Sequence, residues 1–298
     1  MEGGAGPACR TTARDAPPSV VASPRKVRQL SDEVHLTLPT GSALPEAPPM
    51  PERREYPNPP IVESLVQFNF AEPIAWNVAT PGRVFEHLRQ AYPMDPEQQG
   101  MLQAAFSAQP GKGVLPDFTV TQGIPRVVYK DATKTRLVVL NDRVVSVNSL
   151  RPYEGWDRLA VRIREAAAAL EAAVSIPLID EVSVRYVNQI RLPRGRRTED
   201  YFAYDIHTVR AGSSYLRNFV QRVESLLPDG VTTAGTTFAS LQPETQDVFP
   251  IILDIEFKRS LGEGSTIDAA LAVAIDLKRL ENAEFESVIT DNTRGLFQ

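Results

Sequence analysis

Apolar residues alternate through Ile61-Val-Glu-Ser-Leu-Val-Gln-Phe-Asn-Phe70, which predicts a strand. Leu65 aligns with Ile61, and Val66, Phe68 and Phe70 continue the apolar set. Asn58-Pro59-Pro60 ahead of it disfavours helix and forces an extended approach. Thr80-Pro81 has the form of a helix cap followed by proline in the first turn. Val84, Leu88 and Ala91 then step by four and three into one apolar face, and Pro93 ends the helix. Residues 94–123 carry no clear period, and Gln, Gly and Pro interrupt a short helix predicted around Met101 to Phe106.

Three apolar runs follow, Arg126 to Lys130, Arg136 to Leu140 and Arg143 to Val147. Asn141-Asp142 between the last two suits a tight hairpin, because both residues tolerate positive φ. Leu159, Ile163, Ala166, Leu170 and Ala173 step by four and three, the clearest helical face in the chain. Asp157 suits that helix's positive N-terminal end, and Pro177 closes it. Glu181 to Arg191 is a long strand with Val182, Val184, Tyr186 and Ile190 on one face. Beyond it, Tyr201 to Thr208 is a strand candidate, and Tyr215, Phe219, Val223 and Leu226 predict a helix face stopped by Pro228. Thr232 to Leu241 and Phe249 to Phe257 read as strands. Thr266 caps a long final helix in which Val273, Leu277 and Leu280 share a face.

Strand, helix, strands, helix, strand is the ferredoxin-like order, here with an extra hairpin strand, and the second half repeats it loosely. The expected fold is therefore α+β: two ferredoxin-like (βαββαβ-type) halves with mainly antiparallel sheets. The first half spans 50–192 and the second 200–298, either folding separately or sharing one core.

Residues 1–49 look different. Eight prolines punctuate them, no aromatic residue appears before Tyr56, and five basic residues cancel five acidic ones. Such a composition predicts a disordered leader, in which only Val34 to Leu38 alternates like a strand. Met50 stands directly ahead of the first good strand and is the expected translation start.

Composition narrows the classes. The 298 residues are 42% hydrophobic and 23% charged, with a net charge of −5, so a wholly disordered chain and a strongly basic nucleic-acid coat are both disfavoured. One Cys excludes an intramolecular disulfide framework and a thiolate zinc cluster. His35, His87 and His207 have no metal-ligand spacing. No run reaches the roughly 20 apolar residues of a membrane helix, and no secretory signal is visible, so a cytoplasmic protein without a membrane partner is expected.

Five motifs occur in order: Tyr56-Pro-Asn-Pro-Pro-Ile-Val-Glu63, Leu150-Arg-Pro-Tyr-Glu-Gly-Trp156, Arg185-Tyr-Val-Asn-Gln-Ile190, Leu253-Asp-Ile255, and Phe285-Glu-Ser-Val-Ile-Thr-Asp-Asn-Thr-Arg-Gly-Leu-Phe297. Together they resemble a sporadically distributed family of uncharacterised prokaryotic proteins, from about residue 50 to the C-terminus. The resemblance implies no activity. Patchy distribution implies an accessory role, on mobile or defence loci. Similar proteins often carry a His in the last helix ahead of the Phe-Glu pair. Lys278 stands at about that place here, so His-based chemistry is not expected there.

Candidate chemistry is sparse. Glu63 reads as a solvent-facing strand acid. Tyr153 and Trp156 bracket a helix start, where they would pack as a staple or stack on a planar ligand. Arg185 and Asn188 fall on opposite faces of one strand, and a buried Asn188 needs partners for its amide. Arg191, Arg194, Arg196 and Arg197 form a basic loop suited to phosphate. Asp254, Glu256 and Lys258 share a strand face, and Glu256-Phe-Lys258 has the Glu-x-Lys spacing of a restriction-nuclease-type core. That core needs a second acid on a neighbouring strand, and Asp247 is too close to supply it. No P-loop, nucleophile elbow or dinucleotide fingerprint occurs; Gly111-Lys112-Gly113 lacks the required spacing.

The sequence thus predicts a non-catalytic binding or interaction protein without a cofactor or resident metal. Its expected partner is another protein, or itself through exposed strand edges. The candidate ligand positions are Arg185, Asn188, Arg191, Arg194, Arg196 and Arg197. A phosphate-containing ligand or nucleic acid on the arginine loop is the alternative. Metal-dependent nuclease chemistry at Asp254, Glu256 and Lys258 is the remote one.

Overall fold

Long strands with one apolar face need a single cover, and this chain supplies it with helices on one side of one sheet. The computed structural model describes residues 54–107, 117–204, 219–242 and 245–298, with backbone alone along 101–107 and 117–124. In chain order the elements are β1 (Ile61–Phe70), α1 (Thr80–Leu88), β2 (Glu97–Ser107), β3 (Asp117–Lys130), β4 (Arg136–Leu140), β5 (Val144–Leu150) and α2 (Trp156–Ala173). They continue with β6 (Ile179–Pro193), β7 (Val220–Leu226), β8 (Thr232–Ser240), β9 (Val248–Ser265), α3 (Ile267–Val288) and α4 (Asp291–Gly295).

The nine strands lie in one antiparallel sheet in the order β2-β3-β4-β5-β1-β6-β9-β8-β7. The sheet continues across the boundary expected between the halves: β6 pairs with β1 on one side and with β9 on the other. The described residues accordingly belong to one compact unit, Met50–Gln298. The leader, Gly111 to Gly113, and the strand candidate beyond Tyr204 lie outside the described residues.

One face of the sheet is apolar. Val66 and Phe68 of β1, Val145 and Val147 of β5, and Val182, Val184, Tyr186 and Ile190 of β6 are buried there. They pack beneath Leu159, Ile163, Ala166 and Leu170 of α2 and Ala270, Ala274 and Leu277 of α3. The stepped apolar face read from the sequence is the buried face of α2. α1 covers the same side through Val84 and Leu88, with the Tyr129 hydroxyl donating to the Pro81 carbonyl at 3.0 Å. Thr266 caps α3, its hydroxyl accepting from the Ala269 amide.

Two predicted helices are strands instead. Met101 to Phe106 lies within β2, paired with β3. Val220–Leu226, expected on a helix, is β7, paired with β8. Its spacing of four and three fits a helix, but Pro228-Asp229-Gly230 beside it builds a hairpin turn. The Asp229 carboxylate accepts from the amides of Val231 and Thr232, and Gly230 takes φ 70°. The turn decides the local structure. The described part of the second half is therefore a β7-β8-β9 meander followed by α3, without the expected first helix.

Candidate functional site

A cavity of about 770 Å³ opens between the approach to β1, the start of α2, the floor of β6 and the side of α3. Each wall has a local cause. Pro59 and Pro60 hold the chain extended so that Tyr56 reaches α3. Gly155, at φ 95°, turns the chain into α2 and sets Tyr153 and Trp156 at the rim. The pleat of β6 points Tyr186 and Asn188 toward the helices, and both line the floor.

The floor carries a charge. The Lys278 ammonium of α3 lies 3.5 Å from the centroid of the Tyr186 ring. It donates to Glu281 Oε2 at 2.5 Å and to Asn282 Oδ1 at 2.7 Å. The Tyr186 and Tyr153 hydroxyls are 2.9 Å apart, with their rings edge to face. Glu281 is 2% exposed, and burial pushes its carboxyl above the ordinary range against the opposing pull of Lys278. Asn188 is buried and donates to the Leu253 carbonyl at 3.2 Å.

A second cluster forms the wall near the C-terminus. Tyr56 donates to Glu286 Oε1 at 2.6 Å, and Arg294 donates to Glu286 Oε2 at 2.9 Å. Burial and the Glu286 carboxylate push the Tyr56 phenol up to about 12. Its ring meets Phe285 and Phe297 edge-on. Glu154, also at the cavity, accepts from Arg162 Nε at 2.6 Å and lies 3.1 Å from Arg136 Nε.

The positions singled out in the sequence separate. Of the six candidate ligand positions, Asn188 alone lines the cavity. Arg185 lies on the opposite sheet face and makes two bonds to Asp254, at 2.8 and 2.6 Å. Arg191, Arg194, Arg196 and Arg197 are exposed at and beyond the end of β6, where Arg194 donates to the Gln246 carbonyl. Asp254, Glu256 and Lys258 share a face as expected. Asp254 is engaged by Arg185, and Glu256 is met by Ser183, Lys258 and Arg222. Among the described residues no group of three His, Cys, Asp or Glu is arranged to hold a metal ion. Glu63, on the same face, accepts from Asn148 at 2.9 Å.

Sequence reasoning missed Tyr56, Glu281, Asn282 and Glu286 as site residues. For Tyr56 and Glu286 the available signal was the motif set, four of whose five segments contribute residues to the cavity wall; Glu281 and Asn282 lie outside every motif.

Aromatic walls and one ammonium on the floor suit a compact ring-bearing ligand with an anionic group.

No family model matches the chain. No curated protein matches it either. Among solved structures, the di-domain ARO/CYC StfQ from the steffimycin biosynthetic pathway aligns over 78% of this chain and 97% of its own. The identity is 13% and the TM-score 0.17. At that score the overlap carries no argument.

Proposed function

We propose that the protein binds a small molecule in this cavity: a planar, ring-bearing ligand whose anionic group meets the Lys278 ammonium. The observation that carries the reading is the floor, where a cation sits over Tyr186 beside a buried carboxyl inside an aromatic cleft. The volume is within the usual range for small-molecule sites, about 300–1,000 Å³. A ligand anion competes with Glu281 for Lys278, and burial, which raises the Glu281 carboxyl, favours the ligand in that competition. The role is binding, with no bond-making step assigned, as an accessory member of the sporadically distributed family. In fold terms, β1-α1-β4-β5-α2-β6 is read as a ferredoxin-like unit with the β2-β3 hairpin added at its edge. The sheet order β6-β1-β5-β4 supports this reading.

The second reading is a phosphate-containing ligand or nucleic acid on Arg191, Arg194, Arg196 and Arg197. It is supported by their shared exposure at one end of β6. The two readings part in one experiment. Thermal unfolding of the full chain is followed with benzoate, adenosine monophosphate or inorganic phosphate. Saturation at a hundred times Kd stabilises by about 2.7 kcal/mol. The cavity reading expects a ring-bearing anion to stabilise the protein, Lys278→Met to abolish the effect, and joint Ala replacement of Arg194, Arg196 and Arg197 to keep it. The reverse pattern moves the site to the arginine turn. No stabilisation by either ring-bearing probe removes support from the cavity reading.

A further inference from the structure

β7 closes one edge of the sheet, and among the described residues β8 is its only strand partner. An edge strand presents a row of backbone groups ready to pair with another strand. This edge is also apolar where it should be guarded. Val220 is 76% exposed, Leu226 64% and Val223 41%. Val231, in the turn between β7 and β8, is exposed too.

The sequence of the strand, Val220-Gln-Arg-Val-Glu-Ser-Leu226, is complementary to itself when reversed. Turned about a twofold axis through Val223, Val220 meets Leu226 of the other copy, Gln221 meets Ser225, Arg222 meets Glu224, and Val223 meets itself. Opposite charges and apolar pairs then stand directly across from each other, the arrangement that stabilises antiparallel strands. The neighbouring registers do not work. A shift of the axis by one residue in either direction sets Arg222 on Arg222 or Glu224 on Glu224. A half-residue shift opposes side chains from different faces of the sheet. Within one chain the Arg222 guanidinium already lies along this outer face, 3.3 Å from Glu224 and over Gly235, where a Cβ would meet it at 2.8 Å. The charges that should repel a foreign strand are placed to accept a second copy of this one.

We infer that the protein forms a twofold homodimer by antiparallel pairing of β7 with β7, joining the two sheets edge to edge. The inference is independent of the cavity, which lies on other elements.

Sedimentation velocity of the full chain over a concentration series tests it. The expected result is a reversible species at twice 32.9 kDa. Arg222→Glu and Glu224→Arg, each prepared alone, set like charges opposite each other twice per dimer and should weaken association about tenfold or more. Mixing the two variants restores every opposite-charge pair, so the mixture should associate as a heterodimer where neither variant pairs with itself. Circular dichroism on each variant separates lost pairing from lost folding. The recovery on mixing could not come from misfolded chains. A chain that stays monomeric throughout the series overturns the inference. So does a dimer that both single variants leave unchanged, since its contact then lies elsewhere.

Discussion

The Lys278 ammonium lies 3.5 Å from the centroid of the Tyr186 ring, and that contact ties α3 to β6 across the cavity floor. The cation is also bonded to a carboxyl that is 2% exposed. A buried pair contributes little net stability, but removing one partner strands the other.

Lys278→Met keeps the stem and removes the charge. Glu281 then loses its cation, and the variant should unfold with a loss of about 3 kcal/mol in urea titration. Lys278→Met combined with Glu281→Leu removes both charges and should recover most of that loss. With Glu281→Leu measured alone as well, a double-variant loss equal to the sum of the two single losses would show that the pair is not coupled.

Glu281 gives the pH dependence. Its carboxyl is raised above the ordinary 4.5 by burial, partly offset by Lys278. Below 4.5 both folded and unfolded chains hold the proton, and this group costs nothing. As pH rises past 4.5 the unfolded chain releases the proton first, so the group's contribution falls until the folded carboxyl also ionises. Glu281→Gln should therefore show a flatter stability profile above pH 4.5 than the parent. The check is urea midpoints across the pH range, and identical slopes would refute it.

The α2 face was legible because Leu159, Ile163, Ala166 and Leu170 repeat at the helical period over about three turns of chain. β6 was legible because Val182, Val184, Tyr186 and Ile190 keep a period of two. β7 was not, since Phe219, Val223 and Leu226 fit a helical period while a neighbouring turn and the pairing with β8 set the strand. The cavity was illegible for a different reason. Tyr56, Tyr153, Tyr186, Lys278 and Glu286 meet only after β1, α2, β6 and α3 pack, and Glu281 looks like any helix-surface acid until Tyr186 and Lys278 stand beside it. Asn188 needed partners for its amide once buried, and it donates to the Leu253 carbonyl.

On the other face of the sheet, Arg185 holds Asp254 by two bonds, whereas Lys258 reaches Glu256 at 3.3 Å from a side chain that is 39% exposed. Arg185→Ala leaves a largely buried carboxylate without its guanidinium and should cost about 2 kcal/mol. Lys258→Ala should stay within about 0.5 kcal/mol. Paired denaturation curves decide it. Comparable losses would mean that the two contacts are equally buried in solution.

The joint between β9 and α3 is the last point where one atom decides. Gly264 takes φ +89°, a conformation open to glycine and strained for other residues, and a Cβ there would meet Leu178 Cβ at 2.8 Å. Gly264→Ala thus imposes both backbone strain and a collision with a side-chain atom that is anchored directly to the backbone. The expected loss is about 2 kcal/mol, read as a lower urea midpoint with an unchanged slope. Leu178→Ala leaves Cβ in place and should not rescue the variant. Leu178→Gly clears the contact and should recover only the steric share, leaving the strain of the positive φ. Full recovery in that double variant would show that the collision alone, and not the backbone conformation, demands glycine here.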